Sequence, residues 1–506
     1  MTLAGLVDLF TTDPTIAEAV GDARSRALSA LDLTSPPSMR PMIAAAVAAG
    51  RDRGGAGRPV LVVTSTFREA EAVTAALNSL VGEDQVAYYP AWETLPHERL
   101  SPRSDTVGRR LAVLRRLAAK TDQPPPRIIV APVRSVLQPQ VKGLADLTPV
   151  RLAVGAEYDL DQLARDLVNA AYIRVDLVER RGEFAVRGGI VDVFPPTEEH
   201  PVRVDFFGDE IDEIRYFTVA DQRSTDVTRT DVVASPCREL LLTDAVRRRA
   251  FDLSQEHPEL IEMLDKIAQG HAVDGMEALS PALVDGMELL IDLLPPDTHV
   301  LICDPELVRG RAIDLVKVSE EFLQASWAAA AGGGKAPIDL GASSYRPLAD
   351  VRQRALDRGL AWWTLSPFSA GPDSRPSTPN EPVRTEDGEL VDFSTAVSTV
   401  GVESRTVSGR TGERYRGDTE AAAVDIGGRL KAGWRVVLTA EGRGMSDRMA
   451  EVLTEHEYAV RVVDRLDEVP PQGLATIVCA ELEHGFLAEG IELAVFTTGD
   501  LSGQRT

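Results

Sequence analysis

Leu33-Thr34-Ser35-Pro36-Pro37-Ser38-Met39-Arg40 leads into an apolar helical stretch at 41–49, and Pro59-Val60-Leu61-Val62-Val63 follows after a short loop. Proline at the first helical position is pre-set for a helix start. The run at 60–63 is apolar and β-branched, which predicts a short buried strand. Working outward, 27–33 is an apolar segment feeding the loop, and 67–80 carries apolar residues at helical spacing. A strand edge at 86–89 and another buried strand at 128–131, after Pro124-Pro125-Pro126, complete the pattern. Strands alternating with helices predict a parallel sheet covered on both faces.

The character changes near residue 150. Residues 160–171 read as a helix, whereas 184–194 and 202–217 read as antiparallel strands, with a hairpin turn at Gly208-Asp209. The predicted organisation is an α/β domain whose first part is 1–143, an inserted α+β domain at 144–225, and the second part of the α/β domain at 226–365. A Pro/Ser-rich linker at 366–394 follows, then a second small α/β domain at 395–506. Gly332-Gly333-Gly334 reads as a loop.

The chain has 506 residues, too many for one core. A hydrophobic fraction of 44% and a charged fraction of 26% exclude wholesale disorder. The net charge, 54 − 78 = −24, disfavours a broadly basic nucleic-acid groove. No apolar stretch reaches the ~20 residues of a spanning helix, and no basic-then-apolar leader opens the chain. Cys237, Cys303 and Cys479 are far apart, which suits a reducing cytoplasm and gives no metal or disulfide framework. The expected setting is cytoplasmic, with no membrane partner.

A phosphate-cradling loop needs converging glycine N–H groups, then Lys and Ser/Thr. Thr34, Ser35, Pro36, Pro37, Ser38, Met39 and Arg40 contain no glycine and no lysine, and two prolines remove N–H donors. Gly334-Lys335 precedes Ala336 and makes no such motif. Val300-Leu301-Ile302-Cys303-Asp304-Pro305-Glu306 has the shape of a magnesium-holding strand, but reads more simply as a strand ending in an acidic turn. His97-Glu98-Arg99-Leu100-Ser101 lacks the second histidine of a zinc-protease motif, and Gly442-Arg443-Gly444 reads as a turn. His484-Gly485 reads as a terminator. No catalytic residue, metal ligand or cofactor is expected in this chain.

Glu179-Arg180-Arg181-Gly182-Glu183-Phe184-Ala185-Val186-Arg187-Gly188-Gly189-Ile190-Val191-Asp192-Val193-Phe194 is the most informative run. Counted as one extended strand, Phe184, Val186 and Ile190 share a face; Arg187, Gly189 and Val191 share the other. Arg174, just upstream, would join the second face. That face fits a protein-docking hot spot, and it equally fits an edge strand guarded by charge.

The run continues as Pro201-Val202-Arg203-Val204-Asp205-Phe206-Phe207-Gly208-Asp209-Glu210-Ile211. Together the two resemble the domain shared by the bacterial repair protein UvrB and the transcription-repair coupling factors. Ala91-Trp92-Glu93-Thr94-Leu95-Pro96, Asp221-Gln222-Arg223-Ser224, and Glu483-His484-Gly485-Phe486 through Asp500-Leu501 are more similar to the coupling factors. The resemblance covers most of 31–506 and is weakest over 240–389.

It implies a degenerate P-loop-type, UvrB-like α/β domain at 1–143 and 226–365 whose loop 34–40 is inactive. Compared with UvrB, the long DNA-clamping hairpin is shortened to 88–105. The resemblance further implies a UvrA-docking surface at Arg174, Arg187 and Val191, so that the chain is a non-catalytic adaptor recruiting UvrA to stalled RNA polymerase. RNA polymerase and DNA would be met by downstream domains of a parent protein whose ATP- and magnesium-dependent motor translocates DNA. A carboxy-terminal domain of that parent would mask the docking face. The alternative is a UvrB-type repair subunit or a nucleic-acid-dependent ATPase. The role of 395–506 is not indicated.

Overall fold

The computed structural model describes residues 3–96, 98, 100–330, 341–367, 383–384, 390–391 and 402–502. Gly332-Gly333-Gly334, His97 and most of the 366–394 linker lie outside the described residues.

Seven parallel strands form the main sheet. Their order is Ser404–Thr406, Ala30–Thr34, Ala361–Ser366, His299–Cys303, Val60–Thr64, Ile128–Pro132, Val86–Tyr88. Alternate residues of the central strands feed two cores, which explains why those strands are largely apolar. Leu31, Val62, Val130, Leu301 and Trp363 pack on one face with the helices Arg40–Ala48 and Phe67–Val81. Leu61, Val63, Ile129, Ile302 and Trp362 pack on the other, against Leu111 of Ser104–Leu117 and Val351 of Leu348–Asp357.

The second unit is a six-stranded sheet. Its order is Ser224–Arg229, Glu210–Phe217, Val202–Phe207, Ile190–Val193, Glu183–Arg187, Ile173–Arg174, antiparallel except for the last pair. Leu163 and Leu167 of the helix Leu160–Asn169 cover one face. Asp231–Ala234 pairs with Val150–Ala153, so this unit takes in chain beyond Thr225, where the sequence pattern alone placed its end.

The third sheet runs Arg410–Thr411, Phe486–Ala488, Leu493–Thr497, Arg435–Ala440, Ala475–Cys479, Val460–Val463. Gly442-Arg443-Gly444, expected as a turn, opens the helix Arg443–Glu455. This unit is fused to the first. Ser404–Thr406 extends the main sheet, and Leu466, Phe486 and Ile491 share a core with Leu3, Phe10 and Met39. At Gly5 a Cβ would lie 1.9 Å from the Glu468 carbonyl oxygen, so only glycine permits that approach.

One buried group makes the main sheet pH-sensitive. His299 is 2% exposed, edge-on to Trp363 at 5.0 Å, and neither ring nitrogen has a hydrogen-bond partner. Burial, reinforced by the Arg58 guanidinium, lowers its pKa from 6.5 to about 4. Between those two pH values the unfolded chain binds a proton that the folded chain refuses. Stability is therefore complete above pH 6.5 and falls as pH drops toward 4. His299→Phe keeps the ring against Trp363 and should flatten that limb of the urea-midpoint profile; an unchanged slope would assign it to other groups.

Candidate functional site

At the carboxyl ends of the parallel strands, where open α/β sheets bind ligands, stands the loop 34–40. Thr34 ends its strand, Pro37–Met39 forms a single 3-10 turn, and Arg40 begins the next helix. Arg40 is 5% exposed and its guanidinium turns inward. Nη1 donates to Glu69 Oε1 at 3.1 Å, and Nη2 lies 3.7 Å from Asp304 Oδ2. An internal ion-pair cluster thus joins the loop 34–40 to the acidic strand end. Asp304 adopts φ 54° there, a left-handed conformation that aspartate tolerates, and its Oδ1 accepts from the Leu307 N–H at 3.3 Å.

The third unit closes over this loop. Val407 N–H donates to the Thr34 carbonyl at 2.9 Å, and a Cβ on Gly409 would sit 2.7 Å from Met39 Sδ. Asp32, two residues earlier on the same strand, accepts from Thr364 Oγ1 (2.5 Å), Ser366 Oγ (2.6 Å) and Ser404 Oγ (3.4 Å). Its lone pairs are directed at neighbouring strands.

The expected docking trio does not share one face. Gly188, at φ 62°, and Gly189 turn the chain, so 184–194 is a hairpin and not one strand. Counting alternation through a turn inverts every side chain beyond it. The register pairs Val186 with Val191 and Arg187 with Ile190. Val191 is consequently fully buried beside Phe184 and Val193, which withdraws it from any partner, and Ile190 takes the place beside Arg187. Arg174 is exposed on the edge strand level with Phe184, on the opposite sheet face from Arg187. The two arginines flank the sheet edge from either side.

Arg187 belongs to a network that the sequence reading missed. Asp192 is 1% exposed and accepts from Arg187, and also from Arg203 Nε (2.7 Å) and Nη2 (2.9 Å). Donating to the Asp192 carboxylate raises the Arg203 pKa against the cost of burial, and the Arg203 guanidinium stacks 4.9 Å from the Phe217 ring centre. Arg187 keeps about half its side chain in solvent while Asp192 fixes its guanidinium. In the next row, Arg215 bonds Asp205 at 3.2 Å. Reading Gly188-Gly189 as a hairpin turn was the signal that would have found Asp192. Phe207 stands almost free at the adjoining hairpin tip, and its neighbour Phe206 donates N–H to the Gly189 carbonyl at 2.8 Å.

Just past this unit, a buried polar knot ties the chain at Glu239 to the first unit. Arg110, with no exposed side chain, donates Nε to Glu239 Oε1 (2.6 Å), Nη1 to the Pro90 carbonyl (3.0 Å) and Nη2 to Gln140 Oε1 (3.1 Å). Trp92 Nε1 donates to the same Glu239 oxygen at 3.1 Å, and the guanidinium lies 4.5 Å from the Tyr89 ring centre. Burial opposes the Arg110 charge, and the Glu239 carboxylate outweighs it, raising the pKa. Nearby, Ser101 Oγ donates to Glu277 Oε2 at 2.7 Å, and Arg238 Nη1 donates to Glu277 Oε1 at 3.0 Å. The segment after Trp92 is thereby pinned to the helical region.

Residues 150–238 match the UvrB interaction domain family, which sets this charged sheet in a class of DNA-repair modules. Residues 431–501 match the family described as MFD, D3 domain. Over 99% of its length the chain is 42% identical to the transcription-repair-coupling factor of Mycobacterium bovis, covering 39% of that protein. It is 30% identical to the one from Myxococcus xanthus, with 90% of this chain and 38% of the relative aligned. For Escherichia coli K12 the identity is 24%, over 88% and 36%. The chain belongs to the transcription-repair-coupling-factor family, and spans about two fifths of the length of these curated relatives. Among the described residues no helix is long and apolar enough to cross a membrane, and no group of three or more metal-binding side chains occurs.

Proposed function

We propose that the chain is the adaptor part of a transcription-repair-coupling factor and docks UvrA through the sheet edge between Arg174 and Arg187. The observation that carries this is the Asp192–Arg203 pair, which holds the half-exposed Arg187 guanidinium in place inside the unit that matches the UvrB interaction domain. A pre-positioned arginine loses little freedom on binding, and arginines of this kind are frequent interface anchors.

In the same proposal the α/β domain is a UvrB-like fold that has exchanged nucleotide chemistry for structure. Arg40, held by Glu69 and Asp304, stands where a lysine and a magnesium ligand would be needed. RNA polymerase and DNA, together with the ATP-driven motor and the masking domain, are assigned to parts of the parent outside this chain.

Arg187→Glu sets a second carboxylate beside buried Asp192, so Arg187→Ala is the cleaner variant. Arg187→Ala should weaken binding to purified UvrA by about tenfold or more, with the melting temperature moved by no more than about a degree or two. Arg187→Lys should recover only part of the affinity, because the planar fork is lost. Undiminished binding by a folded Arg187→Ala protein places the docking surface elsewhere.

A further inference from the structure

The third unit carries an apolar groove that the docking proposal does not use. It lies between the helices Thr419–Lys431 and Arg443–Glu455 and ends at the short helix Thr498–Ser502. Its volume is about 370 Å³, with Ala422, Ile426, Leu438, Met445, Met449 and Leu501 among the walls. Met445 is 42% exposed at the mouth, and paired methionines give a wall that adapts to different side chains.

Charge is arranged beside the groove in one sense. On Arg443–Glu455, Met445, Met449 and Val452 face the groove, while Asp447, Glu451 and Glu455 follow at four-residue spacing along the outer side. All three carboxylates are exposed, and among the described residues none has an ion-pair or hydrogen-bond partner. Glu420, on the opposite helix but outside the groove lining, lies 3.5 Å from His456. Arg448 is the one cation lining the groove among the described residues. An apolar trough with an acidic shoulder complements an amphipathic helix whose apolar stripe is bordered by Lys and Arg.

We infer that this groove is a docking site for a basic amphipathic helix of a partner protein. The apolar stripe enters between the two helices, and the flanking cations lie over Glu451 and Glu455. The inference gives the 395–506 unit a recruiting role independent of UvrA.

The probe is a fluorescein-labelled 18-residue Leu/Lys peptide with leucines at helical i, i+3, i+4, i+7 spacing. Controls are its Leu/Glu counterpart and a scrambled Leu/Lys peptide. Anisotropy titrations of the whole 506-residue chain are made in about 0.15 M salt, where diffuse attraction is screened beyond ~8 Å. The ordered Leu/Lys peptide should bind about tenfold tighter than either control. Met445→Glu adds negative charge yet blocks the trough, so it should lose about tenfold in affinity. Glu451→Lys/Glu455→Lys should lose affinity while circular dichroism stays unchanged. Equal binding of the scrambled peptide, or tighter binding to Met445→Glu, would overturn the inference in favour of diffuse charge attraction. Equal binding of the Leu/Glu peptide would overturn the charge preference. Self-association in sedimentation velocity, abolished by Met445→Glu, would assign the groove to a second copy of the chain and overturn the partner assignment.

Discussion

Glu239→Gln is expected to cost about 3–5 kcal/mol of stability, because it strands the Arg110 charge in a fully buried site. Both side chains are essentially unexposed, and one Glu239 oxygen receives both Arg110 Nε and Trp92 Nε1. Arg110→Ala should cost a similar amount, since Glu239 is then the unpaired charge. The double replacement Arg110→Met/Glu239→Leu removes both charges and should recover most of the loss; Gln140 Oε1 keeps the Tyr89 hydroxyl, and Trp92 Nε1 is left to find a new partner. Tryptophan fluorescence during urea unfolding reads the site through Trp92 itself. A single-variant loss below about 1 kcal/mol would mean that water reaches the pair and that other contacts join the two units.

The same knot illustrates what the sequence discloses. The parallel sheet was legible because its central strands are apolar on both faces, as at Val60–Thr64 and Ile128–Pro132. Position 110 was not, because its partners lie 20 to 129 residues away and no local pattern marks a buried arginine. Strand Ser404–Thr406 escaped notice for a related reason. Its three residues are polar, and it exists because Ala30–Thr34 offers an open edge to pair with. The candidate site was half legible. Arg187 was found from residue type, Val191 was misplaced by a phase error across Gly188-Gly189, and Asp192 appeared only once the hairpin register was known.

Asp192 is accordingly the residue whose loss should do most damage to the docking unit. It accepts from two arginines, and Asp192→Ala leaves Arg203, with little of its side chain exposed, without its carboxylate. The expected loss is about 2–4 kcal/mol, below that of a fully dry pair because solvent reaches part of Arg203. Arg187→Ala, by contrast, removes an exposed partner and should cost under about 1 kcal/mol. The two variants therefore separate stability from recognition. At a temperature where both are folded, Asp192→Ala should still weaken UvrA binding, because Arg187 then samples many rotamers and must be ordered on contact, at about 0.5–1.5 kcal/mol. Arg203→Leu, which keeps Asp192 to hold Arg187, should bind UvrA more tightly than Asp192→Ala does. If instead Arg203→Leu and Asp192→Ala lose affinity equally while Arg187→Ala binds normally, Arg203 and not Arg187 faces the partner.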